Sequence, residues 1–252
     1  MKIIDTHAHL CDRSFDTDLL EVLSRAERAG IRAIVSVSED IEDARKNMQI
    51  ANLSSMICPA AGLYPSCLDL DEAEEMVEFI RDERDRLVAI GEVGLDFWIV
   101  KEESGKEIQR EIFRKFIKLS EELDLPLNVH SRSAGRYAIS MLIELGARKV
   151  QMHAFDGKVS AALPGVEAGF FFSIPPSVVR SRQKQKLVKQ LPLTCMLIET
   201  DSPVLGKDPN ERNEPANATI VVDAISQIKD VSPEKVAEQA FENTIKLYGK
   251  LA

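Results

Sequence analysis

Basic residues are outnumbered throughout this sequence. Against 41 Asp and Glu stand 32 Lys and Arg, a net charge of −9 over 252 residues. That balance excludes a protein that holds nucleic acid on a broad cationic surface, because such binding is assembled from many phosphate contacts. Cysteine is also scarce. Cys11, Cys58, Cys67 and Cys195 lie far apart with no CxxC spacing, so neither a zinc finger nor a disulfide scaffold is encoded, and the four are expected as unpaired thiols of a reducing compartment. No stretch reaches about 18 consecutive apolar residues, and Asp5, His7 and His9 interrupt the first ten positions, which removes a membrane span and a signal-peptide core there. The expected location is therefore the cytoplasm. No GxGxxG follows the first apolar run, and no low-complexity tract or linker divides the chain, so a dinucleotide-binding fold and a multi-domain layout both lose support.

What is present is an alternation. Apolar runs of four to seven residues fall at 2–6, 32–37, 57–62, 87–92, 126–130, 149–153, 170–174 and 196–200, separated by longer segments of helical period, which is the βα grammar of a parallel sheet. Segment 16–29 puts Leu19, Val22, Leu23 and Ala26 on one face, with Asp16 as the expected N-cap and Gly30 as the stop. Segment 106–123 carries the stripe Ile108, Ile112, Phe116, Leu119 and Leu123, and Ser232-Pro233 opens a last helix with Val236, Ala240, Phe241 and Leu247. Eight such repeats in a chain of this length predict a single-domain (β/α)8 barrel over 1–252. The irregular stretch 202–215 follows the eighth strand and should lie over the barrel mouth.

All four histidines stand at or just after these apolar runs: His7, His9, His130 and His153. Glu92 and Asp201 occupy equivalent places. A (β/α)8 barrel gathers the C-terminal ends of its strands on one face, where its chemistry is done. One histidine at a strand end is ordinarily a hydrogen-bonded structural residue. Six ligand-type residues on five different strands are another matter, and the His7/His9 pair, two apart on one strand, points to one side. Buried carboxylates also need a partner charge. The set exceeds the needs of one four-coordinate ion, and a carboxylate can bridge two ions about 3.5–4 Å apart. The expected arrangement is His7, His9, Glu92 and Asp201 about one divalent ion and Glu92, His130 and His153 about another, the metal being Zn, Mg or Mn.

The segments IIDTHAHL, AIGEVGLDF, NVHSR, MHAFDG, IETDSP and RNEPAN resemble the TatD-type metal-dependent hydrolases of the amidohydrolase superfamily, over essentially the whole chain. The resemblance implies a (β/α)8 barrel, one or two divalent metals and phosphodiester hydrolysis of DNase type. It carries the ligand role to the six residues above, makes Glu92 and Asp201 catalytic, and assigns Asp201 the orientation or deprotonation of the attacking water. Two departures concern substrate: Tyr64 stands where the family usually has histidine, and Trp98-Ile99-Val100 replaces a more polar run. For the substrate itself Arg132, just past His130, is the candidate phosphate clamp, with Tyr64 and Asp96 as further contacts and Arg136, Lys158, Arg180, Arg182, Lys184 and Lys186 on the rim, although a charge run on a helix is ordinarily a solvated face. Asp96 equally suits a loop cap, and the lone Trp98 either stacks on a base or packs its loop. A chain this acidic implies contact with short single-stranded DNA ends or another small phosphodiester, with no membrane and no obligate protein partner. Two other readings keep the same residues: a hydrolase of a small amide, ester or lactone, and a non-catalytic metal-binding module. Glu92 in place of a carboxylatable lysine on the fourth strand argues against phosphotriesterase-like sites.

Overall fold

The computed structural model describes residues 1–249 and 251. Its strands β1 (Ile3–Ala8), β2 (Ile31–Ser36), β3 (Ile57–Ala61), β4 (Ala89–Gly94), β5 (Leu127–His130), β6 (Val150–Met152), β7 (Phe171–Ile174) and β8 (Met196–Ile198) pair in parallel, in chain order. Helices follow the strands: α1 (Leu19–Arg28), α2 (Ile41–Ile50), α3 (Leu70–Asp82), α4 (Glu103–Leu123), α5 (Gly135–Glu144), α6 (Val159–Glu167), α7 (Arg182–Gln190), α8 (Ala218–Lys229) and α9 (Pro233–Tyr248). The first and last strands meet through Thr6 Oγ1, which donates to the Ile198 carbonyl at 3.0 Å, and through Asp201 N–H, which donates to the His7 carbonyl at 2.8 Å. This is a (β/α)8 barrel in one domain. No helix among the described residues is long and apolar enough to cross a membrane.

The helices form for the reasons their sequences suggest. In α4, Ile112, Phe116 and Leu119 are buried while Ile108 and Leu123 pack at the edge of the same core. In α9 the Ser232 side chain accepts from Lys235 N–H, leaving Pro233 at the first turn, where its missing donor costs nothing. One expected cap is corrected. Asp16 belongs to a short 3-10 turn ending at Phe15, so the chain enters α1 only at Leu19, with Asp18 as N-cap, and the Asp16 carboxylate pairs with Lys46 instead. At the other end Gly30 adopts φ 94°, a conformation that favours glycine, and turns the chain into β2.

Strand parity divides the interior. Ile90, Val93, Leu127, Val129, Val150, Met152, Phe172, Met196 and Ile198 face the core shared with the helices. The alternate residues point down the barrel: Ala33, Val35, Cys58, Ala60 and Ala89 fill it with small groups on one side, and Asn128, Gln151, Ser173 and Glu199 form a buried polar layer on the other. Three strands end two residues from where they were expected, β8 stopping at Ile198 in place of 200. β1 runs on to Ala8 and β4 to Gly94, so His7 and Glu92 lie within strands and not at their ends. Glu92 still faces inward because the β4 to β5 register slips between Ile90 and Val93. Such a bulge places one extra residue between two outward-facing ones and re-aims a side chain. It demands close backbone approach: a Cβ on Gly91 would stand 2.6 Å from Asn128 Cβ, and one on Gly62 would stand 2.5 Å from the Gly91 carbonyl carbon.

Candidate metal centre

The six ligand-type residues converge at the C-terminal mouth. His7 Nε2 lies 3.2 Å from His9 Nε2, 3.3 Å from Asp201 Oδ1 and 3.5 Å from Glu92 Oε2. His9 Nε2 lies 3.4 Å from each of the same two oxygens. Tetrahedral coordination with bonds of about 2.0–2.1 Å sets ligand atoms about 3.3–3.4 Å apart, so these spacings suit the edges of a divalent-ion site. The other Glu92 oxygen turns away from this group. Oε1 contacts His130 Nδ1 at 2.5 Å and His153 Nε2 at 3.4 Å, so one carboxylate addresses two clusters.

Three of the four histidines, His7, His130 and His153, are aimed by a partner on the far nitrogen. His7 Nδ1 meets Asn128 Oδ1 at 2.8 Å. The Asn128 amide donates to the Thr6 carbonyl and to Tyr248 Oη, which fixes its oxygen as the acceptor of the histidine proton. His7 Nε2 is then left as a lone-pair donor. His153 Nδ1 lies 3.2 Å from Glu199 Oε2, and His130 Nε2 lies 3.0 Å from Asp96 Oδ2. Glu199 is itself held by Ser173 Oγ at 2.6 Å and Ala154 N–H at 2.9 Å. Carboxylates and amides in this position set the tautomer and raise ligand basicity.

With protein groups alone the centre is acidic and draws protons. Burial disfavours the charged form of His7, but Asp201 and Glu92 outweigh it and hold the imidazole well above its ordinary range. His130 is likewise pushed up to about 9, burial opposing and the Glu92 charge prevailing. Glu92 and Asp201 show the reverse side of the same pairing: burial would raise them, and the neighbouring histidines hold both well below the usual carboxylate range. Two ionised carboxylates among four imidazoles are a donor set suited to a divalent cation, which would take the place of those protons.

The residues assigned to substrate divide. Tyr64 and Arg132 line the cavity, of about 490 Å³, together with Glu39, Asp156 and Lys184. Arg132 stacks its guanidinium on Trp98, 3.8 Å from the ring centroid, so the tryptophan, 56% exposed, carries the arginine at the rim. Asp96 is corrected: it is fully buried, its Oδ1 accepts from Trp98 and Ile99 N–H, and its Oδ2 meets His130 and Tyr64 Oη. It caps a loop and orients a histidine, and no free oxygen faces substrate. Of the rim cations only Lys184 reaches the cavity, donating to the Ala154 carbonyl at 2.8 Å, with burial lowering its pKa. Arg136 and Lys158 line a neighbouring groove, Arg180 donates to the Gly206 carbonyl, and Arg182 and Lys186 are exposed on α7.

Sequence reading passed over Glu199, Asn128 and Glu39. Asn128 was within reach, since it stands two residues before His130 on β5, the parity that singled out His7 and His9, whereas Glu199 and Asp201 both lie past the end of β8 at Ile198. Glu39 follows β2 as His153 follows β6 and Asp201 follows β8.

Comparison with known proteins fits this geometry. Residues 4–249 match the family model described as TatD related DNase. The chain belongs to that family. It is 46% identical over 261 residues to the human protein named deoxyribonuclease TATDN3, covering 99% of this chain and 95% of that protein. It is 34% identical to YabD of Bacillus subtilis, named an uncharacterized metal-dependent hydrolase, over 98% of each chain. The crystal structure of YJJV, a TatD homolog from Escherichia coli, superposes with a TM-score of 0.90 over 98% of each chain at 24% identity, and that likeness speaks to the TatD fold alone.

Proposed function

We propose that this metal-dependent hydrolase is a cytoplasmic deoxyribonuclease that attacks phosphodiesters at single-stranded ends, with His7, His9, Glu92 and Asp201 holding one divalent ion and Glu92, His130 and His153 a second. The observation that carries the reading is the division of Glu92, whose Oε2 faces His7 and His9 while Oε1 faces His130 and His153. Bound there, divalent ions supply acidification of water and polarisation of a phosphoryl oxygen. The protein supplies the rest. Asp201, kept ionised by the histidines around it, accepts the proton of the attacking water, a step ordinarily contributing about 10²–10⁴-fold. Arg132, pre-oriented on Trp98, donates to the phosphate in its fixed fork geometry. The relatives named deoxyribonuclease support DNA as substrate. A concave cavity of this size, within the usual 300–1,000 Å³ of ligand sites, suits the end of a strand better than the side of a duplex. Four unpaired thiols are in keeping with a reducing compartment.

Glu39 and Asp156 on the cavity wall favour one second reading, hydrolysis of an uncharged amide, ester or lactone. The test is a panel on purified protein loaded with Mg²⁺, Mn²⁺ or Zn²⁺, comparing single-stranded and blunt duplex DNA, RNA, bis(p-nitrophenyl) phosphate and acyl esters. Cleavage of single-stranded DNA ahead of the others is the expected result. Fast ester hydrolysis with no DNA cleavage under any metal would transfer the assignment to the second reading.

A further inference from the structure

Recesses open beside the mouth, and they differ in charge. One shares His9 and Glu39 with the central cavity and is walled by Asp12, Asp40, Glu42 and Asp43 against Arg13. Another shares Glu39 and Tyr64 and is walled by Asp40, Asp69 and Glu72. Neither can lead a polyanion away from the site. The third, a groove of about 1,070 Å³ between α5 and α6, shares Asp156 with the cavity and presents Arg136, Lys158 and Tyr137. Its two carboxylates, Asp156 and Glu144, accept from Ser133 N–H at 3.2 Å and Ser140 Oγ at 2.7 Å and only balance its two cations, so this groove is neutral where the other recesses are acidic. Arg136 and Lys158 are exposed.

Two further features belong to this groove, and a third to the cavity beside it. The helices on its two sides, α5 and α6, both begin without a side-chain cap, at Ala134 and Lys158, so their first N–H groups are free to meet anionic oxygens. Tyr137 is 45% exposed, with the Arg136 guanidinium 5.0 Å from its ring centroid, a surface on which a base can stack. On the cavity wall, two residues before Ser133 of the groove, stands Ser131. It lines the cavity, is 3% exposed, and its Oγ has no hydrogen-bond partner. A buried hydroxyl left without a partner is costly unless a ligand supplies one.

We infer that the α5–α6 groove is a strand-continuation subsite: with the end of a single DNA strand in the cavity, where Ser131 Oγ donates to its phosphate, the next phosphates lie along Arg136, Lys158 and the two helix starts, and Tyr137 stacks a base. The inference rests on the deoxyribonuclease reading and adds a direction to it, since the strand leaves the mouth between α5 and α6 and not past α2 or α3.

The test is binding of fluorescently labelled oligothymidylates with phosphorothioate linkages, which resist cleavage, to the metal-loaded protein. Each single-strand phosphate neutralised contributes about −0.7 to the slope of log affinity against log salt, so the double variant Arg136→Ala/Lys158→Ala should flatten the slope by about 1.4. Tyr137→Ala should weaken binding about fivefold or more. Affinity should rise with length from one to about four nucleotides in the parent protein and stay flat in the double variant. Asp69→Asn/Glu72→Gln, in the acidic recess, should leave the slope where it was. An unchanged slope in the Arg136/Lys158 variant, with circular dichroism showing it folded, overturns the subsite, as does a slope that responds only to the acidic recess. Absence of DNA binding by the parent protein, alongside ester hydrolysis, is a separate result that removes the deoxyribonuclease reading and the subsite with it.

Discussion

In the lower polar layer of the barrel, donors point at acceptors. Tyr248 Oη donates to Gln151 Oε1 at 2.6 Å, Gln151 Nε2 to Ser173 Oγ at 2.9 Å, and Ser173 Oγ to Glu199 Oε2 at 2.6 Å. Two residues further along the chain from Asn128, Gln151 and Glu199, at His130, His153 and Asp201, the pattern inverts. There Nε2 of His7 faces Nε2 of His9, and carboxylate oxygens close the group at 3.3–3.5 Å. The lower layer is satisfied by its own hydrogens, while the upper one requires positive charge from outside the side chains' neutral forms, as protons or as metal. One set of strands thus carries a rigid floor and a charge-seeking site. The floor is what permits the site, because Asn128 and Glu199 fix which nitrogen His7 and His153 offer.

Variants that break the upper layer should have the largest effects. Glu92→Ala removes the residue shared by both clusters, so turnover on single-stranded DNA should fall by at least about 10⁴-fold, the upper range for a single proton-transfer residue, with metal analysis showing loss of both ions. Asp201→Asn keeps the volume and removes the proton acceptor. Turnover should fall about 10²-fold or more while KM changes little under saturating metal, and a near-parental kcat would place the base elsewhere.

The lower layer should fail more gently and in another way. Glu199→Gln leaves His153 Nδ1 without its carboxylate, and metal affinity of the His130/His153 cluster should drop about 10–100-fold. Titration with Mn²⁺ would follow this, and recovery of activity at high metal is the signature of lost orientation. Loss that no metal concentration repairs would make Glu199 part of the chemistry itself.

The smallest effect is in pH. His130 folds with a pKa raised to about 9 from about 6.5 in the unfolded chain. In metal-free protein its contribution to stability is therefore complete below about 6.5 and lost as pH rises toward 9. Metal binding needs the neutral imidazole and so strengthens over the same window. Chelation should lower Tm more at pH 9 than at pH 6, by thermal melts with and without EDTA. An equal drop at both would mean that protons and metal do not compete there.

The fold was legible because its signal is repeated: eight apolar runs, each too short for a helix, separated by amphipathic segments. The bulge at Gly91-Glu92 was not, since nothing in AIGEVGLD says that two consecutive residues will sit between the outward-facing Ile90 and Val93. The ligand-type residues stood out as residue types at strand ends, whereas their supports did not, because Asn128, Gln151 and Glu199 gain meaning only when parity places them one layer below a histidine. Asp96 shows the same limit. A carboxylate after a strand suits substrate or loop alike, and only its partners, Trp98 N–H, Ile99 N–H and His130, decide between them. Asp16 and Asp18 are equally good caps by type, and the 3-10 turn at Arg13–Phe15 puts the second at the N-cap position, where its carboxylate makes no capping hydrogen bond and pairs with Arg25 and Arg212.

The two-cluster arrangement is tested most directly by anomalous scattering from crystals grown with Mn²⁺ or Zn²⁺. The account predicts two peaks about 3.5–4 Å apart, one among His7, His9 and Asp201, the other beside His130 and His153, with the Glu92 carboxylate between them. A single peak at full metal saturation, or peaks that leave one Glu92 oxygen without an ion, would contradict it.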